Sequence, residues 1–274
     1  MTGKVDGKTN IRKWYCPVQP TVRQFENKVV YEEVFPDPLL LEYIYCYWQL
    51  KTDQPLETAF TYNVVADGCI DIFFELANPA NSFVMGFCEQ HTSFPLENSF
   101  HYVGVRFLPT MFTQIYGVDA SVLTNRFEEL NSVVPKASSF LSSQFGPDQD
   151  LHEIKRRLDA YFLKQVDEAG FRIDGRLYDA IDIILKNAGL VSIEQELDSG
   201  ISPRQLRRLF SQYVGCSPKS FSRVVRFQHV LRAKPSRQSL RRNKIFFDHG
   251  YYDQAHFIKE FKTYYGLTPF EAFR

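Results

Sequence analysis

Arg204, Arg207 and Arg208 follow directly on Ser202-Pro203, and each brings a forked set of N–H donors to a short stretch of chain. A guanidinium can bind guanine O6 and N7 together, or it can hold a phosphate oxygen; the first reads sequence and the second only positions. Both chemistries are open to these three arginines. A second group, Ala255, His256 and Lys259, stands behind Asp253-Gln254 in the same arrangement. His256 is either a base contact or a partner of Asp253 at a helix start. Ser202, Asp253 and Gln254 would meet phosphates through the backbone amides of a helix N-terminus. Lys219, Arg223, Arg241, Arg242 and Lys244 are the further phosphate candidates; the Arg241-Arg242-x-Lys244 cluster either attracts the backbone of a polyanion or is a solvated loop.

These groups need helices to carry them. Ser202 and Asp253 are N-cap residues, and the apolar positions behind them recur at helical spacing, so Leu206 with Phe210 and Phe257 with Phe261 each share a face. A helix with an apolar back and a cationic front near its N-terminus has the geometry of a groove reader. The readers are expected at about 202–213 and 253–264. A helix over 219–233 lies between them, with Phe221, Val224, Val225, Phe227 and Leu231 as its apolar positions. A supporting helix is expected from Ser192, and another near 245–247 behind a basic loop at 234–244. The units echo each other: Phe210 leads to Gly215-x-Ser217-Pro218, and 51 residues later Phe261 leads to Gly266-x-Thr268-Pro269.

The chain has 274 residues and a formal net charge of zero, with 44% apolar and 15% aromatic content. That length suits two or three domains. The neutrality hides an asymmetry: residues 191–274 hold 15 Lys and Arg against 7 Asp and Glu, and the preceding part holds 17 against 25. A basic end beside an acidic one is the footprint of a chain that meets a polyanion at one end. Cys16, Cys46, Cys69, Cys88 and Cys216 are odd in number and form no CxxC pair, which argues against a disulfide framework or a zinc knuckle and suits a reducing cytoplasm. MTGKVDGKTN lacks the apolar core of a signal peptide. No apolar run reaches the roughly 18–20 residues of a membrane helix.

Between 25 and 125 the pattern is that of short strands, at 43–50, 70–76, 83–87 and 101–107, rich in aromatic and β-branched residues. Asp67-Gly68 and Asn78-Pro79 are expected turns. A short helix from Met111 to Tyr116 should end at Gly117, and another turn is expected over 123–130. Residues 134–150 read as a connector, and 152–166 and 176–187 as helices. The expected organisation is a flexible N-terminus (1–15), a β-rich regulatory domain (16–133), a connector with linking helices (134–190) and a helical domain (191–274). The fold class is therefore α+β and multidomain: a β-barrel or sandwich-like domain with short helices, then an all-α domain of two helix-turn-helix units joined by a central helix.

Catalytic signatures are lacking. No GxSxG, GxxxxGK[ST] or GxGxxG occurs. His91 and His101 with Glu89 lack the spacing of a metal site, and Cys69 and Cys88 have no basic neighbour in sequence. No enzyme activity, cofactor or metal is expected.

The duplicated unit resembles the DNA-binding domain of AraC-type transcriptional regulators. The likeness rests on Ser202-Pro203-x-x-Leu206-x-Arg208-x-Phe210, Gly215-x-Ser217-Pro218, Arg223-x-x-Arg226-Phe227, Gly250-Tyr251, Phe257, Phe261-Lys262 and Gly266-Leu267-Thr268-Pro269, over about residues 190–274. Asp67-Gly68-Cys69-Ile70-Asp71 and Val103-Gly104-Val105-Arg106-Phe107-x-Pro109 are similar to the N-terminal module of one subgroup. The resemblance implies a bacterial, cytoplasmic, sequence-specific regulator whose readers enter successive major-groove segments. Double-stranded DNA, a small-molecule effector, a second copy of the chain and RNA polymerase would be its partners, with no membrane. Departures from the pattern are the charged stretch 193–199, Phe246 where a small residue is usual, and the spacing of 237–244. Tyr45, Trp48, Phe73, His101 and Arg106 are the candidates for lining an effector pocket; Arg106 pairs with Asp71, with Glu75 or with an acidic ligand. The competing readings are an interaction protein with a degenerate DNA-binding domain and a DNA-repair methyl acceptor.

Overall fold

The computed structural model describes residues 11–20, 28–172, 174–191, 197, 200–241 and 250–273. After a short helix α1 (Ile11–Trp14), the N-terminal part is built on β1 (Val29–Val34), β2 (Ile44–Thr52), β3 (Phe60–Val64), β4 (Asp71–Glu75), β5 (Asn78–Met85), β6 (Thr92–Leu96), β7 (His101–Phe107) and β8 (Phe127–Glu129). Six strands form one antiparallel sheet in the order β1-β2-β7-β4-β5-β8, and β3 pairs with β6 as a separate antiparallel hairpin. This is the expected sandwich-like β-domain.

Alternation along the strands gives the large sheet two apolar faces. Ile72, Phe74, Val84, Val103, Val105 and Phe107 turn toward the helices and join the main core, which runs without a break into the C-terminal half. Trp48, Leu50, Phe73 and Tyr102 turn the other way and pack with Phe60, Tyr62 and Phe94 of the hairpin. Gly104 makes the second packing possible. A Cβ there would come within 2.1 Å of the Trp48 ring, so only a glycine lets the indole lie on β7.

The helices that follow are α2 (Met111–Tyr116), α3 (Leu130–Val133), α4 (Pro135–Gln144), α5 (Leu151–Glu168) and α6 (Gly175–Lys186). The C-terminal part has α7 (Pro203–Val214), α8 (Pro218–Ala233), α9 (Arg237–Arg241), α10 (Gln254–Tyr265) and α11 (Pro269–Ala272). α7 begins with a full capping box between Ser202 and Gln205, and α10 with the Asp253 carboxylate accepting from the His256 amide at 2.7 Å. Both end on a left-handed glycine, Gly215 at φ 88° and Gly266 at φ 91°. The duplicated cap, reader and exit turn are thus duplicated in space.

Five expectations need correction. Of the N-terminus expected to be flexible (1–15), residues 11–14 form α1, and Ile11 and Tyr15 are buried in the main core. The turn expected at Asn78-Pro79 falls at Leu76-Ala77, and Asn78 already opens β5. The stretch 123–130 contains a strand, β8, whose three residues are too short to show a period. The connector 134–150 holds α4, where Pro135 at the first turn starts a helix that packs Ala137 and Leu141 inward. The basic loop 234–244 contains the helix α9. The supporting helices expected from Ser192 and near 245–247, the departures at 193–196 and Phe246, and the candidates Arg242 and Lys244 lie outside the described residues, as does the side chain of Arg241.

Phe210 is fully buried, with its ring 5.9 Å from that of Phe221 on α8. Phe210→Ala is expected to destabilise the chain by about 3–5 kcal/mol, read as a lower denaturant midpoint with the slope unchanged.

Candidate nucleic-acid interface and ligand pocket

The two readers are fastened by their backs to one helix. Leu206, Phe210 and Val214 are the buried residues of α7, and Phe257, Glu260, Phe261, Tyr264 and Tyr265 those of α10. α8 meets α7 through Phe221 and α10 through Phe227, whose ring lies 5.4 Å from Phe261 and 5.2 Å from Tyr264. The fronts are polar. Arg204, Arg207 and Arg208 are exposed, as are Ser202, Lys219 and Arg223. On the second reader Asp253, Ala255 and Lys259 are exposed and Gln254 is half-buried. His256 differs: its ring lies 5.7 Å from Tyr251, and its Nε2 is 3.7 Å from Glu260. Its ring is therefore shared with the inner side of the helix rather than given wholly to the front.

A buried ion pair orients the second reader. Glu260, only 8% exposed, accepts from the Arg226 guanidinium of α8 at 2.8 Å and lies 3.5 Å from Arg223 Nε. Arg226 also stacks over Tyr251 at 4.3 Å. Sequence reasoning gave Arg226 no role and missed Glu260. The one available signal was an acidic residue at the i+3 position after an apolar reader residue, on the side otherwise given to the core.

The β-domain holds the same three helices. Thr124 Oγ1 donates to the Gly215 carbonyl just past α7 at 2.5 Å. The amides of His91 and Ala66 donate to the carbonyls of Thr263 and Tyr264 in the last turn of α10, at 3.0 and 3.1 Å. In the middle of α8, Gln228 accepts from the Val18 amide and donates to the Ala66 carbonyl, each at 2.7 Å. Both readers are gripped at their C-terminal ends, away from the capped N-termini.

A cavity of about 330 Å³ lies between the six-stranded sheet and the β3–β6 hairpin. Of the five pocket candidates, Trp48, Phe73 and Arg106 line it. Tyr45 does not: it is the extra residue of a bulge in β2 and packs on Tyr15 and under Arg12. Nor does His101, whose Nε2 bonds Gln49 Oε1 at 2.9 Å. Tyr62, Phe83, Phe94, Tyr102 and Phe127, which sequence reasoning passed over as pocket residues, supply the rest of the aromatic wall.

The cavity floor is charged. Arg106 is 2% exposed and meets Asp71 at 3.1 Å, Glu33 at 3.3 Å and Asp67 at 3.5 Å. Asp71 also accepts from the Trp48 indole N–H at 2.9 Å. Of the partners foreseen for Arg106, Asp71 is one; Glu75 instead accepts from Asn81. Burial pushes the Asp71 carboxyl up to about 6, against the pull of Arg106. Elsewhere burial pushes the Cys69 and Cys216 thiols well up, opposite to the shift that activates a nucleophile. Among the described residues no group of three His, Cys, Asp or Glu is placed to hold a metal, and no helix is long and apolar enough to cross a membrane.

An acid whose folded pKa lies above its unfolded value contributes stability that is full below the unfolded value and fades as pH rises through the folded one. In a Trp14→Phe background, Trp48 emission is expected to titrate with a midpoint of about 6, and the contribution of Asp71 to stability to fall over the same rise. Asp71→Asn should remove both; an unchanged titration in that variant would assign it to another group.

Residues 198–274 match the family described as "Helix-turn-helix domain", and residues 32–129 match "Domain of unknown function (DUF6597)". An "Uncharacterized HTH-type transcriptional regulator" of Haemophilus influenzae is 43% identical over 63 residues, which cover 23% of this chain and 20% of the regulator; the chain thus spans about a fifth of that relative's length. Two crystal structures of ToxT from Vibrio cholerae are also similar in arrangement. One, bound to (E)-4-(8-methylnaphthalen-1-yl)but-3-enoic acid, has a TM-score of 0.43 at 10% identity, covering 90% of this chain and 98% of ToxT. The other, bound to an unsaturated fatty acid, has a TM-score of 0.42 at 12% identity, covering 90% and 95%. Residues 198–274, with their duplicated caps and exit turns, thus form a domain of the helix-turn-helix family.

Proposed function

We propose that this chain is a sequence-specific DNA-binding transcriptional regulator acting in the bacterial cytoplasm. α7 and α10 enter successive major-groove segments of one DNA face, and the β-domain senses a small molecule. The observation that carries the reading is the pairing of two capped helices, each fixed by its apolar back to α8, with exposed cations on the first reader and Lys259 on the second. Arg204, Arg207 and Arg208 read base edges or hold phosphates. Ala255 and Lys259 face the bases of the second segment, and His256 contributes there from a ring partly engaged by Tyr251. Ser202, Asp253 and Gln254 bring phosphates to the helix starts, with Lys219 and Arg223 beside them.

Sensing needs a route from cavity to readers, and a polar chain offers one. Asp67, beside Arg106, accepts from the Gln19 side-chain amide at 2.8 Å. Gln19 in turn bonds both backbone groups of Val65 at 3.0 Å. The next residue, Ala66, bonds α8 through Gln228 and α10 through Tyr264. A ligand that moves Arg106 would therefore act on the residues that hold α8 and α10. A second copy of the chain and RNA polymerase complete the expected set of partners.

Arg207→Ala and Arg208→Ala lie on an exposed face and should leave the fold intact. In gel shifts with genomic fragments, each is expected to weaken binding about tenfold and to lower the salt slope by about one if its contact is to phosphate. Unchanged affinity and slope in both variants would favour the degenerate interaction protein instead.

A further inference from the structure

The walls and the floor of the β-domain cavity differ in a way that selects a ligand. The walls are aromatic and aliphatic: Trp48, Tyr62, Phe73, Phe94 and Tyr102, with Phe127 half-exposed among them. The floor is formed by Asp71 and Arg106, and Glu33 and Asp67 meet the same guanidinium from outside the lining. Each guanidinium nitrogen of Arg106 already meets a carboxylate: NH2 and Nε meet Asp71, Nε also meets Asp67, and NH1 meets Glu33 and the Tyr31 hydroxyl. An anionic ligand would find every guanidinium nitrogen already facing a carboxylate, and more carboxylates than cations around it. A cation would find π-faces on the walls and the surplus carboxylate charge beneath. Asp71 reaches the cavity from β4 and is held in place by the Trp48 indole N–H, so its orientation is fixed before a ligand arrives. At about 330 Å³ the space is at the lower end of the range for small-molecule sites.

We propose that the cavity between the six-stranded sheet and the β3–β6 hairpin binds an apolar organic cation, an aryl- or alkyl-ammonium compound, with Asp71 as its counter-ion. This rests on the sensing role proposed above and names the chemical class sensed. The ammonium stands over the Asp71 carboxylate and the apolar body fills the aromatic space. Because the cation adds to the field at Arg106 and competes for Asp71, its arrival acts on the Arg106–Asp67 contact from which the chain to Ala66 begins.

The test is calorimetric titration of the full chain near neutral pH with three probes of one shape: 4-phenylbutylamine, 4-phenylbutanol and 4-phenylbutanoate. The amine is expected to bind at least about tenfold more tightly than either other probe, and Asp71→Asn to abolish that preference while leaving the alcohol unaffected. Should Asp71→Asn fail to fold, Glu33→Gln, which removes a carboxylate charge from Arg106 at a more exposed position, is expected to weaken the amine about threefold and not the alcohol. Tighter binding of the carboxylate or the alcohol would overturn the cation assignment and leave the sensing role standing. Binding of none of the three, by chain that still shifts DNA, would overturn both.

Discussion

Glu260 places a carboxylate on the buried side of α10, and such a charge is tolerable there because Arg226 meets it at 2.8 Å, with Arg223 at 3.5 Å. Removing one partner from a pair of this kind typically costs about 3–5 kcal/mol, since the other is left charged and dry. The pair therefore does what apolar packing alone does poorly: it fixes α10 in one rotational setting against α8. Phe227 against Phe261 supplies the attraction, and the ion pair selects the angle. α8 is the common reference, because it also carries Phe221 under the first reader and Gln228 under the β-domain.

The β-domain follows a related logic on a sheet. One face of the six strands is continuous with the helical core, and the other closes over a cavity against the hairpin. Arg106 lies on the cavity face, and its burial demands the acidic partners that surround it. One of these, Asp67, belongs to the loop whose backbone grips α8 and α10. The charge that a strand interior forces on the pocket floor is thereby tied to the elements that position the readers.

The two readers were legible because capping chemistry, apolar spacing and exit glycines agreed within each copy and between copies. The lines 202–213 and 253–264 differ from the helices by about a residue at each end. The pocket was less legible, although the strands gave its parity. With Phe73 and Arg106 as anchors, alternation selects Tyr102 and not His101, and Trp48 and Leu50 rather than their neighbours. Tyr45 has the opposite parity to Trp48 and so falls outside the cavity, while Tyr62 and Phe94 belong to a hairpin distant in sequence from the strands it covers. The strand β8 and the helix α4 were missed because three residues show no period and a Ser-rich helix has little amphipathic contrast. Glu260 was hidden because an acidic residue at a core position cannot be explained without its partner on another helix.

The central claim is that α8 holds two readers side by side so that both meet one face of a duplex. Hydroxyl-radical footprinting of the full chain on a selected DNA target tests it most directly. The account predicts two protected patches on the same face, with centres about one helical turn (~10 base pairs) apart. A single patch, or two patches on opposite faces of the duplex, would contradict it.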